Sequence, residues 1–125
     1  MALTYEQARQ QAEVCIDAFN RRDPEPILDM VHDAIGHRGP FVVDHVGHEH
    51  GRIEGKDAQR EFLRWLWAQE PSLRHVLDEV LIGLDGFAML THSERDGTRY
   101  VFVNQVDEDG SVRDMHVYHG PQSGG

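Results

Sequence analysis

Three histidines, His45, His48 and His50, fall within the stretch VVDHVGHEHG at residues 42 to 51. Imidazole is a common metal ligand and the side chain that titrates nearest neutral pH. A helical zinc pair needs histidines at i and i+4, so that both rings leave one face. Here the spacing is three and then two, broken by Gly47. In an extended segment His48 and His50 share one side and His45 faces the other. Asp44 or Glu49 would complete only a distorted site, so the stretch reads as a loop of pH-dependent charge that holds no metal. Cys15 is the single cysteine; no base stands near it in the sequence, and a small packed side chain is its simplest role.

No Gly-rich phosphate loop or dinucleotide fingerprint occurs, so no cofactor is expected. Twenty-two acidic against twelve basic residues give a net charge of −10, which repels a phosphate backbone or an anionic membrane surface and argues against either partner. The lone cysteine forms no internal disulfide and no sorting signal or membrane-length apolar run is present, so a cytoplasmic location is expected. The 125 residues suffice for one core without staples,. A single domain is expected over 1 to 120, with PQSGG, 121 to 125, as a disordered tail.

Any reactive side chains must be positioned by the following elements. Thr4 with Gln7 spells a capping box, after which Ala8, Ala12, Cys15, Ile16 and Phe19 recur on one face of a helix running to about Asn20,. Asp23-Pro24 opens a second helix with Ile27, Leu28, Met30 and Val31 as its apolar side, broken by GHRGP at 36 to 40. Residues 41 to 46 suggest a brief strand. A third helix runs from Lys56 to about Gln69, with a broad apolar sector that includes Trp65 and Trp67, and Pro71 stops it. Four strands follow, at roughly 73 to 82, 87 to 94, 99 to 106 and 112 to 118. They are separated by Gly83 to Gly86, Asp96-Gly97 and Asp109-Gly110, turns short enough for consecutive hairpins. Helices first and a strand meander after is an α+β pattern.

This order, together with FNRRDPEPILDMVHDAI (19 to 35), GRIEGKDAQREFL (51 to 63) and DEDGSVRDMHVY (107 to 118), resembles the nuclear-transport-factor-2-like superfamily. Within it the SnoaL-like polyketide cyclases and the ketosteroid isomerases are the nearest in pattern. The resemblance spans about 5 to 119. It implies a cystatin-like cone, a curved antiparallel sheet with three N-terminal helices on its concave side, often paired into a homodimer through the outer sheet face. The superfamily hosts isomerases, dehydratases, cyclases and proteins that only bind, so the reaction must be read from the residues inside the cone. At the three isomerase positions this chain has Cys15 for the tyrosine, Gly39 for the aspartate base and Phe102 for the protonated aspartic acid. None can act in that mechanism. The limonene-epoxide-hydrolase residues fall near Ser93, Arg95 and Val117, and do not match either.

The register implied by the resemblance points Tyr100, Phe102, Asn104 and Val106 inward, then Phe87, Met89, Thr91 and Ser93, and on the last strand Arg113, Met115 and Val117. His92, Asp114, His116 and Tyr118 then face outward. His37, two residues before the base position, shares the inward face and is the candidate proton-transfer group; an imidazole there is expected to titrate near neutrality. The alternative is a core histidine bonded to a backbone carbonyl. Arg38 beside it could hold a carboxylate or enolate, Asn104 and Tyr100 could bond a polar ligand group, Cys15, Phe102 and Met115 would touch the ligand, and Trp65 and His45 would stand at the rim. Two functions remain. One is a cofactor-independent isomerase, cyclase or dehydratase acting by general acid/base chemistry on a hydrophobic carbonyl or hydroxyl compound. The other is a non-catalytic ligand-binding or dimerisation module of the same fold.

Overall fold

The computed structural model describes residues 3 to 121. Of the expected tail, Pro121 is exposed coil and residues 122 to 125 lie outside the described range. The elements are α1 (Tyr5–Arg21), α2 (Glu25–Asp29), β1 (Val31–Arg38), α3 (Pro40–Val46), β2 (Ile53–Glu54), α4 (Lys56–Gln69), β3 (His75–Ile82), β4 (Gly86–Ser93), β5 (Arg99–Val106) and β6 (Val112–His119).

The strands form one curved sheet in the order β2-β1-β6-β5-β4-β3. Every neighbouring pair is antiparallel except β1 and β6, which run parallel. The architecture is the expected α+β cone, with two differences in its first half. Val31–Arg38 is a strand, where the sequence suggests that the second helix continues. This segment finds backbone partners on both sides, with His37 opposite Met115 of β6 and Ile53 of β2, and two-sided pairing outweighs a weak helical preference. Conversely, residues 41 to 46 are helical despite their valines. Pro40 sits in the first turn and Gly47, at φ 71°, closes the end in the left-handed conformation, the two terminators that favour a short helix.

Helix α1 begins with the reciprocal box read from the sequence: Gln7 N–H donates to Thr4 Oγ1 at 3.1 Å and Thr4 N–H to Gln7 Oε1 at 2.9 Å,. Its end anchors the far edge of the sheet. Asn20 Nδ2 donates to the His75 carbonyl at 2.8 Å, and His75 N–H donates to Asn20 Oδ1 at 2.9 Å. Arg22, the cap at φ 63°, donates to the carbonyls of Pro71 at 2.7 Å and Leu73 at 2.8 Å. These bonds fix the start of β3 against α1.

Strand β3 is irregular in a way that matters for the site. From Ile82 back to Glu79 it pairs with Phe87 to Leu90, but Leu77 pairs with Thr91, leaving Asp78 without a partner. The extra residue reverses the facing of everything before it. Val80 is buried on one side of this bulge and His75 is buried on the other. Asp78 itself points outward and accepts from His92 Nδ1 at 2.8 Å.

Two apolar clusters fill the cone, one between α1 and the sheet and one under α4, and Cys15 and Phe41 touch both. Among the described residues no helix is long and apolar enough to cross a membrane.

Candidate functional site

At the junction of the two clusters lies a cavity of about 60 Å³, several times what one water needs. Its wall is almost wholly apolar, built from α1 (Cys15, Phe19), α3 (Phe41, Val42), α4 (Phe62, Leu63, Leu66) and the sheet (Tyr100, Phe102, Met115, Val117). Three polar side chains interrupt it: His37 on β1, Gln59 on α4 and His75 on β3. Phe41 stacks on Tyr100, with ring centroids 6.2 Å apart. The same two residues line a surface cleft together with Val43, Asp44 and His119. This ring pair therefore stands between the cavity and solvent.

His37 is 5% exposed. Its Nδ1 lies 3.0 Å from Gln59 Oε1, and its ring meets Phe62 edge to face at 5.1 Å. Because an amide oxygen only accepts, Nδ1 carries the proton and Nε2 keeps its lone pair. The expectation that this ring titrates near neutrality is corrected: burial strips the imidazolium of water and pushes its pKa down to about 4, against a smaller opposing effect of the Gln59 bond,. His75 behaves alike. Its pKa is pushed down to about 4 by burial first and by the positive charges of Arg22 and Arg95 next. Burial alone pushes the Cys15 thiol up to about 12, so it remains a protonated packing group.

Of the candidate residues, His37, Cys15, Tyr100, Phe102 and Met115 line the cavity, and Arg38, Asn104, Trp65 and His45 do not. Arg38 follows His37 along β1, so alternation sends it to the outer side, where it is exposed beside His116,. His45 and Trp65 pack against each other at 4.8 Å and against Phe62; making residues 41 to 46 helical turns His45 onto α4. Arg113, expected inward, is exposed and donates to Asp107 at 3.0 Å, because the register slips by one residue near the start of β6. His48 and His50 are exposed loop residues. Among the described residues no group of three His, Cys, Asp or Glu side chains is arranged to hold a metal ion.

Asn104 faces inward two residues beyond Phe102, level with Phe87 and Met115. It is 2% exposed; Oδ1 has no partner among the described residues, and Nδ2 reaches only the Phe102 carbonyl at 3.5 Å. A half-satisfied buried amide costs about 1–3 kcal/mol. Asn104→Leu is expected to raise the unfolding free energy by an amount in that range, measured by urea denaturation. No gain would show that Oδ1 has a partner in solution.

A sequence model of the SnoaL-like domain family matches residues 12–119. The chain belongs to this family. Its fold is that of the nuclear-transport-factor-2-like superfamily. Solved structures agree with this SnoaL-like assignment. A SnoaL-like protein of unknown function from Burkholderia thailandensis is 24% identical, with 97% of this chain and 100% of that one covered at a TM-score of 0.88. A protein of unknown function with a cystatin-like fold from Methylobium petroleophilum is 15% identical, with 100% and 84% covered at 0.76. IdmH of Streptomyces antibioticus, a proposed polyketide cyclase, is 12% identical, with 90% and 91% covered at 0.72. At these identities the likeness is one of fold. No curated protein matches this SnoaL-like chain.

Sequence reasoning missed two polar site residues, Gln59 on α4 and His75 on β3. For His75 the strand register is the cause. Counting the register back from the Gly83–Gly86 turn places it on the outer face, and only the Asp78 bulge turns it inward. The one sequence signal was the Asn20 bend, which bonds to its backbone.

Proposed function

We propose that this SnoaL-like domain is a cofactor-independent enzyme that moves a proton on a small hydrophobic carbonyl or hydroxyl compound, with His37 as the base. The observation that carries this reading is the His37–Gln59 bond inside an apolar cavity. It fixes the ring's tautomer, and the hydrophobic wall keeps the ring neutral, so a free lone pair is held ready at any pH near neutrality. Tyr100, Phe102, Met115 and Cys15 would supply the apolar bed for the substrate. The polyketide cyclase proposed for IdmH gives a precedent for carbonyl chemistry in this fold,.

Removal of a proton next to a carbonyl is the step shared by isomerases, aldol-type cyclases and dehydratases of β-hydroxy ketones. The test is therefore incubation with a panel of small apolar ketones in D₂O, reading loss of the α-proton signal by NMR. Protein-dependent exchange supports the proposal; none across the panel, in a sample whose cavity signals shift on ketone binding, overturns it. The second reading, a non-catalytic binding module, draws on the small cavity and on Phe41 lying against Tyr100 at its edge. It expects binding without exchange.

A further inference from the structure

We infer that the substrate carries a carboxylate, which Arg38 holds in a surface cleft while the apolar carbonyl end of the same molecule enters the cavity. This rests on the proposed proton-moving function and narrows its substrate to keto acids whose two ends are joined by an apolar chain.

The closed cavity of about 60 Å³ has room for roughly four to six water-sized groups, enough for a carbonyl and the carbons beside it. The rest of any larger molecule must lie outside. On the outer side of the sheet is an open cleft of about 500 Å³, whose lining includes Arg38, Glu49, His50, His116, Tyr118 and His119. Gly39, Pro40 and Val117 line both spaces, so the wall between them is one residue thick. The smaller cleft at the Phe41–Tyr100 pair shares Pro40, Val43 and His119 with the larger one, which gives a route around that wall. Strand β1 ends at Arg38, so its two faces, with His37 inside and Arg38 outside, meet at Gly39-Pro40.

Charge decides what fills the larger cleft. On a chain of net charge −10, Arg52, Arg60, Arg74, Arg95 and Arg113 each meet a carboxylate. Arg38 is exposed and has no ion pair or hydrogen bond among the described residues. It lies opposite His116 across the β1–β6 pair. After burial, its charge is the next cause that holds the His116 pKa below its ordinary value, with Asp114 opposing. Asp114 is itself engaged by Arg52 at 3.5 Å. Glu49, the acid on the lining, stands out in solvent with its carboxylate 3.5 Å from His50 Nε2.

Arg38 is therefore the one permanent positive charge on this lining, and no carboxylate of the chain claims it. A single guanidinium fork matches a planar monoanion, which it can grip with two parallel N–H bonds. A phosphate dianion would meet too little positive charge here. Asp44 on the smaller cleft disfavours a carboxylate there, so the acid end stays beside Arg38 and the carbonyl end passes inward. The rings of His116 and Tyr118, stacked at 4.3 Å, offer the intervening chain an apolar surface next to the anchor.

NMR titrations with 4-oxopentanoate, 6-oxoheptanoate and 8-oxononanoate, each against its neutral primary amide of the same shape, test this. At least one acid is expected to bind about 10-fold or more tightly than its amide, the lower end of what a hydrogen bond to a charged group contributes, and to shift the signals of both His37 and His116. The gap should shrink as sodium chloride is added, and in Arg38→Gln the acid and its amide should bind alike. Acids and amides that bind equally at every length, or not at all, overturn the inference. So does a preference for acid that Arg38→Gln retains. Inorganic phosphate that displaces the acid, with shifts confined to the cleft, shows a free-anion site and overturns the substrate assignment. An Arg38-dependent preference without α-proton exchange in D₂O removes the proposed reaction and leaves the carboxylate site standing; exchange without any preference for acid does the converse.

Discussion

Between pH 7 and pH 4.5 the domain is expected to lose roughly 2–2.5 kcal/mol of stability for each of its two cavity histidines. Both His37 and His75 have folded-state pKa values near 4 against an ordinary 6.5. A ring whose pKa is depressed by folding contributes fully above 6.5. Its contribution is lost as pH falls toward 4, because the unfolded chain takes up a proton that the folded one refuses. Carboxylates that folding holds below their usual range, such as Glu25, Asp96, Asp107 and Asp109, lose their contribution only in more acidic solution. Protonation also lowers the net charge of −10 and eases self-repulsion, which works against the trend. The window from 6.5 to 4.5 therefore reports the imidazoles. Urea unfolding at pH 7, 6 and 5 measures the slope, and His37→Gln or His75→Phe should each remove about half of it. A stability unchanged from pH 7 to pH 5 would mean that the rings take protons inside the fold.

His37→Gln is expected to slow ketone exchange by at least about 10²-fold, the usual worth of a positioned general base, while retaining secondary structure by circular dichroism. Glutamine fills similar space but offers no lone pair of comparable basicity. Gln59→Leu acts one step further out. It removes the acceptor that holds the proton on Nδ1, lets the other tautomer compete, and should cost less than losing the ring itself. The pH profile provides a second criterion. With His37 neutral above about 4, the exchange rate should stay level from pH 8 to pH 5, whereas an ordinary solvated imidazole would lose activity below 6.5. A rate that halves near 6.5, or a His37→Gln protein as fast as the parent, would remove His37 from the mechanism.

Both effects have the same origin. The wall that keeps the imidazoles neutral is the wall that makes their protonation costly to the fold. Phe62, Phe19 and Tyr100 pack edge to face on the two rings, so moving Phe41 to admit a ligand or water should ease their protonation.

Local codes were legible from residue order. The Thr4–Gln7 box, the Asp-Gly hairpin turns and the Lys56–Gln69 apolar sector each act over a few residues, and each formed where expected. The register implied by the resemblance also pointed Tyr100, Phe102 and Met115 inward, and all three line the cavity. Residues 31 to 46 were misread because β1 depends on distant partners, being flanked by β6 and β2, and because Pro40 and Gly47 bracket α3 more strongly than its valines favour a strand.

By itself the sequence determined the order of elements and the motifs whose resemblance to the family implies the cone and the inward turn of His37. It did not determine which imidazoles share the cavity or their protonation. His75 faces inward only because Asp78 is an unpaired residue that shifts the strand by one. Arg38, Asn104, Trp65 and His45 are excluded only by how helices and strands come to rest on one another. A one-residue shift costs little locally yet reverses a whole strand face, and a buried ring's charge depends on everything that displaces water around it; both are settled by packing in three dimensions.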